Sequence, residues 1–153
     1  MQKTQFVYVT YIRTTPEKLW DALMKPEFTE RYWLQTRHES EWKPGSPWRA
    51  VTPDGLAKVT GDILEVEPHR RLVFTWRSES KPELKAEGHS RVTYTIEPQG
   101  ESVKLTVLHE MDQGESKLIR AVSNGWPMIL ASLKSLLETG ASLAETRQWH
   151  KGM

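Results

Sequence analysis

Residues 115–139 read ESKLIRAVSNGWPMILASLKSLLET. Apolar side chains recur at Leu118, Val122, Trp126, Ile129, Leu133 and Leu136, spaced three or four apart, which is the period of one helix face. At 1.5 Å per residue this stretch makes a helix of roughly 37 Å, long enough to cross a whole β-sheet. Gly140 follows as a C-terminal stop. Within it, Pro127 removes a backbone donor and crowds the preceding turn, so a kink or restart is expected at Gly125-Trp126-Pro127. A helix with one apolar stripe needs an apolar surface to cover, and the chain before it supplies one.

From Arg37 to Glu110 the period changes from helical to alternating. Leu72, Phe74 and Trp76 share one strand face, followed by Val92, Tyr94 and Ile96, then Val103, Leu105, Val107 and His109. Arg91, Thr93, Glu97, Lys104 and Thr106 occupy the opposite faces, the pattern of an antiparallel sheet covered on one side only. Turn chemistry punctuates the strands. Lys43-Pro44-Gly45-Ser46 suits a type II turn, Thr52-Pro53-Asp54-Gly55 and Glu97-Pro98-Gln99-Gly100 suit type I turns closed by a glycine bulge, and Glu67-Pro68-His69-Arg70 reads as another tight turn. Glu79 to Gly88 is polar and is expected to be a long, mobile hairpin loop.

Upstream, Gln5 to Thr14 alternates with Phe6, Tyr8, Thr10 and Ile12 on one face. Thr15 is placed as an N-cap with Pro16 at the first helical position, opening a helix to about Met24 that carries Leu19, Trp20 and Leu23. A second short helix follows Pro26. Leu143 to Met153 is expected to add a helical turn or two. The fold class is therefore α+β: a curved antiparallel sheet of six to seven strands, two short helices, and one long C-terminal helix on the concave face.

With 153 residues the chain is read as a single domain, 1–153, able to bury about 70% of its unfolded surface. A formal charge of +1, with 21 basic and 20 acidic residues and no like-charged block, excludes the basic face that nucleic acid requires. There is no cysteine, which rules out disulfides and thiolate chemistry. No run approaches the roughly 18 apolar residues of a membrane span, and the N-terminus lacks a secretory pattern, so membrane insertion is not expected and the cytoplasm is the expected location. Five histidines are scattered without ligand spacing, so neither a metal nor another cofactor is expected. Nucleophile elbows and phosphate loops are absent.

The phrases Thr15-Pro16-Glu17-Lys18-Leu19-Trp20-Asp21-Ala22-Leu23, Trp42-Lys43-Pro44-Gly45-Ser46-Pro47-Trp48, Ser90-Arg91-Val92-Thr93 and Gly125-Trp126, leading into Leu130, Leu133-Lys134 and Leu137-Glu138-Thr139-Gly140, span nearly the whole chain. In their order and spacing they resemble the START-like (SRPBCC) superfamily, and within it the branch named after activators of the heat-shock chaperone ATPase. The resemblance implies the helix-grip fold, shared with birch-pollen allergens, with a ligand cavity between the long helix and the sheet. Eukaryotic chaperone activators carry an additional N-terminal domain. This sequence begins directly at the START-like strand, so the family name is read as descent rather than as a chaperone partnership.

Seven tryptophans are many for this length. Trp33, Trp48, Phe74, Trp76, Tyr94, His109, Trp126 and Leu130 are the candidate ligand-binding residues, lining a cavity fit for a small hydrophobic or aromatic molecule. Each aromatic taken singly fits plain core filling better, and the cavity reading gains only from the set as a whole. Trp20 and Leu23 are assigned to packing; Trp42 and Trp149 are not assigned. His109 falls on the inward face, either as a polar contact and proton carrier in the cavity or as a buried, internally satisfied histidine. Arg77 and Asp62 lie where a strand side chain reaches the cavity mouth, although surface placement fits both. Three functions remain open. The leading one is a non-catalytic binder of a small hydrophobic ligand. Relatives of the fold imply a second, a cyclase- or hydrolase-type enzyme relying on His109. The third is protein interaction, chaperone-related or by homodimerisation.

Overall fold

The computed structural model describes residues 3–147. Strand β1 (Thr4–Ile12) leads into α1 (Pro16–Met24) and α2 (Pro26–Tyr32). Six strands follow, β2 (Arg37–Ser40), β3 (Pro47–Val51), β4 (Ala57–Glu67), β5 (Arg71–Ser78), β6 (Ser90–Gln99) and β7 (Ser102–Met111), with α3 (Pro82–Lys85) between β5 and β6. Helix α4 (Lys117–Thr139) closes the fold. The strands form one antiparallel sheet in the order β1-β7-β6-β5-β4-β3-β2, so the first and last meet and the α1–α2 excursion separates the two edges.

The alternation reads directly onto the sheet. Val92, Tyr94 and Ile96 of β6 pack beside Val103, Leu105, Val107 and His109 of β7, all buried. The α1 cap forms as the residues dictate, with the Lys18 amide donating to Thr15 Oγ1 at 3.2 Å. Tyr32 is fully buried and donates its hydroxyl to the Ala22 carbonyl at 2.9 Å, which fixes α2 against α1.

Three expectations are corrected. Helix α4 runs as one continuous helix through Gly125-Trp126-Pro127, with no restart. Proline withholds one N–H from the carbonyl four residues back, and that single loss is outweighed by burial of Trp126, Ile129, Leu130 and Leu133 along one face. Glu79 to Gly88 is not a plain loop: Leu84 is buried and anchors α3. Glu87 then reaches the start of α4, where its carboxylate accepts from Ser116 Oγ at 2.6 Å and from the Lys117 amide at 2.7 Å. Ser116 itself caps Ile119, so the helix begins two residues later than its apolar pattern allowed. The β6–β7 hairpin also differs. Strand pairing continues through Gln99 with Ser102, and the chain turns on Gly100-Glu101 rather than on Pro98-Gln99. Gly100, at φ 63°, supplies the positive dihedral that this tighter turn needs. The tail after α4 makes a single 3₁₀ turn at Ala144–Thr146, and residues 148–153 lie outside the described residues.

One glycine is dictated by its neighbours. Gly61 of β4 stands opposite Trp48 of β3, whose indole N–H passes over it and donates to the Thr75 carbonyl of β5 at 2.7 Å. A Cβ at Gly61 would sit 1.9 Å from that oxygen and 2.7 Å from Trp48 Nε1. Gly61→Ala is expected to cost about 3 kcal/mol, because both groups must move within a packed core. Urea unfolding measures this, and a loss near zero would show that the indole does not occupy the space.

Candidate ligand-binding cavity

A cavity of about 630 Å³ lies between the first half of α4, the adjoining parts of β4 and β5, and α3. Trp33, Trp76 and Trp126 form its aromatic wall. Their rings meet at 5.2 Å edge-on for Trp33 and Trp126, 5.8 Å for Trp76 and Trp126, and 6.0 Å for Trp33 and Trp76. Leu84, Leu118, Val122 and Ile129 continue the apolar lining, while Lys58, Lys81, Glu145 and Asn124 supply polar groups. Met128 lines it too and is 43% exposed.

Of the eight candidate residues, Trp33, Trp76 and Trp126 line this space. Trp48, Phe74, Tyr94, His109 and Leu130 are buried behind it and are not among its lining. Phe74 bridges Trp48 at 5.0 Å and Tyr94 at 5.3 Å, both edge-to-face, so this second layer backs the first. Arg77 is held by Glu79 at 2.6 Å and Asp62 is exposed; neither lines the cavity.

His109 is fully buried, and both of its ring nitrogens are engaged. The Trp126 indole N–H donates to Nδ1 at 3.0 Å. Since an indole can only donate, Nδ1 must present a lone pair, and the neutral ring carries its proton on Nε2. That proton goes to Ser90 Oγ at 2.6 Å, and the Ser90 hydroxyl donates in turn to the Trp76 carbonyl at 3.1 Å. The chain Trp126–His109–Ser90–Trp76 thus ties α4 to β7, β6 and β5 with every donor used once. Burial lowers the His109 pKa to about 3, so the ring is neutral near pH 7. In this arrangement His109 positions Trp126 and has no free nitrogen for proton transfer to the cavity.

His38 went unassigned in the sequence, where it stood only within a scattered His-Glu-Ser-Glu run. It is buried, 4.6 Å from the Trp33 ring and 5.5 Å from Trp48, and burial lowers its pKa to about 3. Its Nε2 has no hydrogen-bond partner. Beside it, Leu34 and Gln35 hold left-handed dihedrals (φ 54° and 61°), unusual for side chains of their size. The Leu34 amide donates to the Thr146 carbonyl at 2.7 Å, which brings the C-terminal 3₁₀ turn to the cavity. Leu34, Leu84 and Thr146 line the space from segments whose sequence has no period, so no pattern announced them.

A seven-stranded antiparallel sheet gripped by one long helix, with a cavity beneath the helix, is the START-like helix-grip architecture. The chain belongs to the family of Activator of Hsp90 ATPase homolog 1-like proteins, whose model matches residues 13–138. No curated protein matches the chain. Among solved structures, protein MLL2253 from Mesorhizobium loti superposes with a TM-score of 0.75 at 24% identity, over 88% of this chain and 97% of that one. A Cytophaga hutchinsonii protein gives 0.70 at 27% identity, covering 92% and 97%. An Aha1 dimer from Colwellia psychrerythraea, solved in solution, gives 0.72 at 15% identity, covering 90% and 98%.

The two buried histidines make stability depend on pH. Their folded pKa values of about 3 lie below the ordinary 6.5, so between these limits the unfolded chain binds protons that the folded chain excludes. Stability should therefore fall as pH drops from 6.5 toward 3, by up to about 1.4 kcal/mol per histidine for each pH unit. Glu79, held near 2 chiefly by Arg77, adds to the loss only below its ordinary 4.5, so the range from pH 6.5 to 5 isolates the histidines. Urea midpoints across that range measure the effect. A midpoint constant down to pH 5 contradicts neutral burial.

Proposed function

We propose that the protein is a non-catalytic carrier or sensor of a small hydrophobic or aromatic molecule, held between α4 and the sheet. The observation that carries this reading is the three-tryptophan wall on a cavity of about 630 Å³, within the range of roughly 300–1,000 Å³ usual for small-molecule sites. The wall is also rigid. Trp126 is fixed by His109, and Trp48, Phe74 and Tyr94 stand behind it, so a ligand would meet a surface that needs no ordering. The polar groups of the rim orient the ligand. The group best placed by sequence for proton transfer, His109, is engaged on both nitrogens, which favours binding over catalysis.

Trp33, Trp76 and Trp126 would report occupancy directly. Titration with a panel of sterols, fatty acids and polycyclic aromatics is expected to shift tryptophan emission for at least one class and to raise Tm. At a ligand concentration one hundred times Kd the stabilisation is about 2.7 kcal/mol. A panel that changes neither signal argues against the proposal.

A second reading concerns assembly and rests on a different surface. The outer face of β1 exposes Val7 (53%), Val9 (42%) and Tyr11 (51%), with Leu108 of β7 paired beside Val7. Apolar side chains in a row on a terminal strand favour self-association, and the Colwellia psychrerythraea neighbour is described as a dimer. We infer a homodimer through this face. Sedimentation should give a dimer mass that Val9→Lys reduces to a monomer; a monomeric parent chain at millimolar concentration overturns it.

A further inference from the structure

Glycine is among the least favourable residues for a helix interior, so one retained there invites a reason. In this chain the usual reasons can be checked one by one. Gly45, Gly55, Gly88, Gly100 and Gly140 adopt positive φ, and Gly61 faces a carbonyl that leaves no room for a Cβ. Gly125 has neither justification. It sits inside the regular turns of α4, outside the left-handed region, and a Cβ built on it would meet no atom within 4 Å. Pro127, two residues later, already weakens the same turn, so the glycine compounds a local cost.

Gly125 does have one distinguishing position: it lines the cavity, next to Trp126 and one turn from Val122 and Ile129, which line it too. The space above its Cα is open, and the residue borders the cavity. Most of the buried face of α4 is filled by large side chains, among them Leu118, Trp126, Leu130 and Leu133, and the small buried Ser132 is closed off by its hydrogen bond with Thr146.

We propose that Gly125 is the size-determining contact of the binding site. The missing side chain keeps open a slot between the helix backbone and the tryptophan wall, and the molecule that fills it is a flat ring system lying against the bare Gly125 backbone. A planar ligand fits because one wall is made of indoles and the other is a peptide surface without a Cβ. This proposal rests on the binding function proposed above. It adds the residue that sets the width of the site and the shape of what enters.

Gly125→Ala and Gly125→Leu test it, with naphthalene-2-sulfonate as the flat probe and dodecanoate as the narrow one. Both variants should fold, because the added atoms enter empty space, and Gly125→Ala should melt above the parent chain. Binding of the naphthalene probe should weaken several-fold in Gly125→Ala and at least tenfold in Gly125→Leu, with dodecanoate affected less. If Gly125→Ala melts below the parent, the glycine is structural and the inference fails whatever binds. If the parent binds a probe and both variants bind it equally, the inference also fails, while the cavity reading stands. If the parent binds neither probe, the size-determining role fails, and the wider ligand panel then decides the cavity reading by itself.

Discussion

The hydrogen bond from Trp126 to His109 is where the helix and the sheet become one object. Without it, α4 would lie on an apolar surface that fixes its depth but leaves its rotation to packing alone. With it, an indole N–H that could not be buried unpaired is matched to a ring nitrogen on β7, and the demand passes through Ser90 to the Trp76 carbonyl. The two inner groups, His109 and Ser90, each receive one bond and give one, while the indole only gives and the Trp76 carbonyl only receives. The direction of every bond follows from the indole, which can only donate. That constraint sets the tautomer of His109, the aspect of Trp126 toward the cavity, and the absence of spare proton-transfer capacity at this point.

Two glycines show how the same residue can serve opposite ends. At Gly61 the hydrogen takes the place of a side chain because the Trp48 indole already fills the volume. At Gly125 the volume is left open. Both lie close to the aromatic cluster, one behind it and one in front, and together they separate the packed half of the aromatic layer from the half that faces the cavity. The cavity is therefore bounded by side chains of both α4 and the sheet, with Gly125 the one position on the helix wall that contributes backbone alone.

Much of the fold was legible because period and burial go together. The three-and-four spacing of Leu118, Val122, Trp126, Ile129, Leu133 and Leu136 and the alternation through β5, β6 and β7 follow from one side facing oil and the other water. Local chemistry was legible at Thr15-Pro16 and at the Gly45 and Gly55 turns. It misled at Pro127, where a proline penalty was outweighed by the length of the buried face. It misled again at Glu79 to Gly88, where polarity suggested solvent but Glu87 serves as a remote cap for α4.

The sequence by itself determined which faces are apolar and that one long helix must cover one antiparallel sheet, because these depend on spacing along the chain. Only the tertiary structure decided which aromatics face empty space and which face each other. Trp33, Trp76 and Trp126 are indistinguishable in pattern from Trp48, Phe74 and Tyr94. They differ in what lies across from them, and that is set by residues from α2, α3 and the C-terminal turn that are distant in the chain. Periodicity records whether a side chain points inward. Whether the inside is full at that point depends on the volumes of all its neighbours, a quantity that no single stretch of sequence carries.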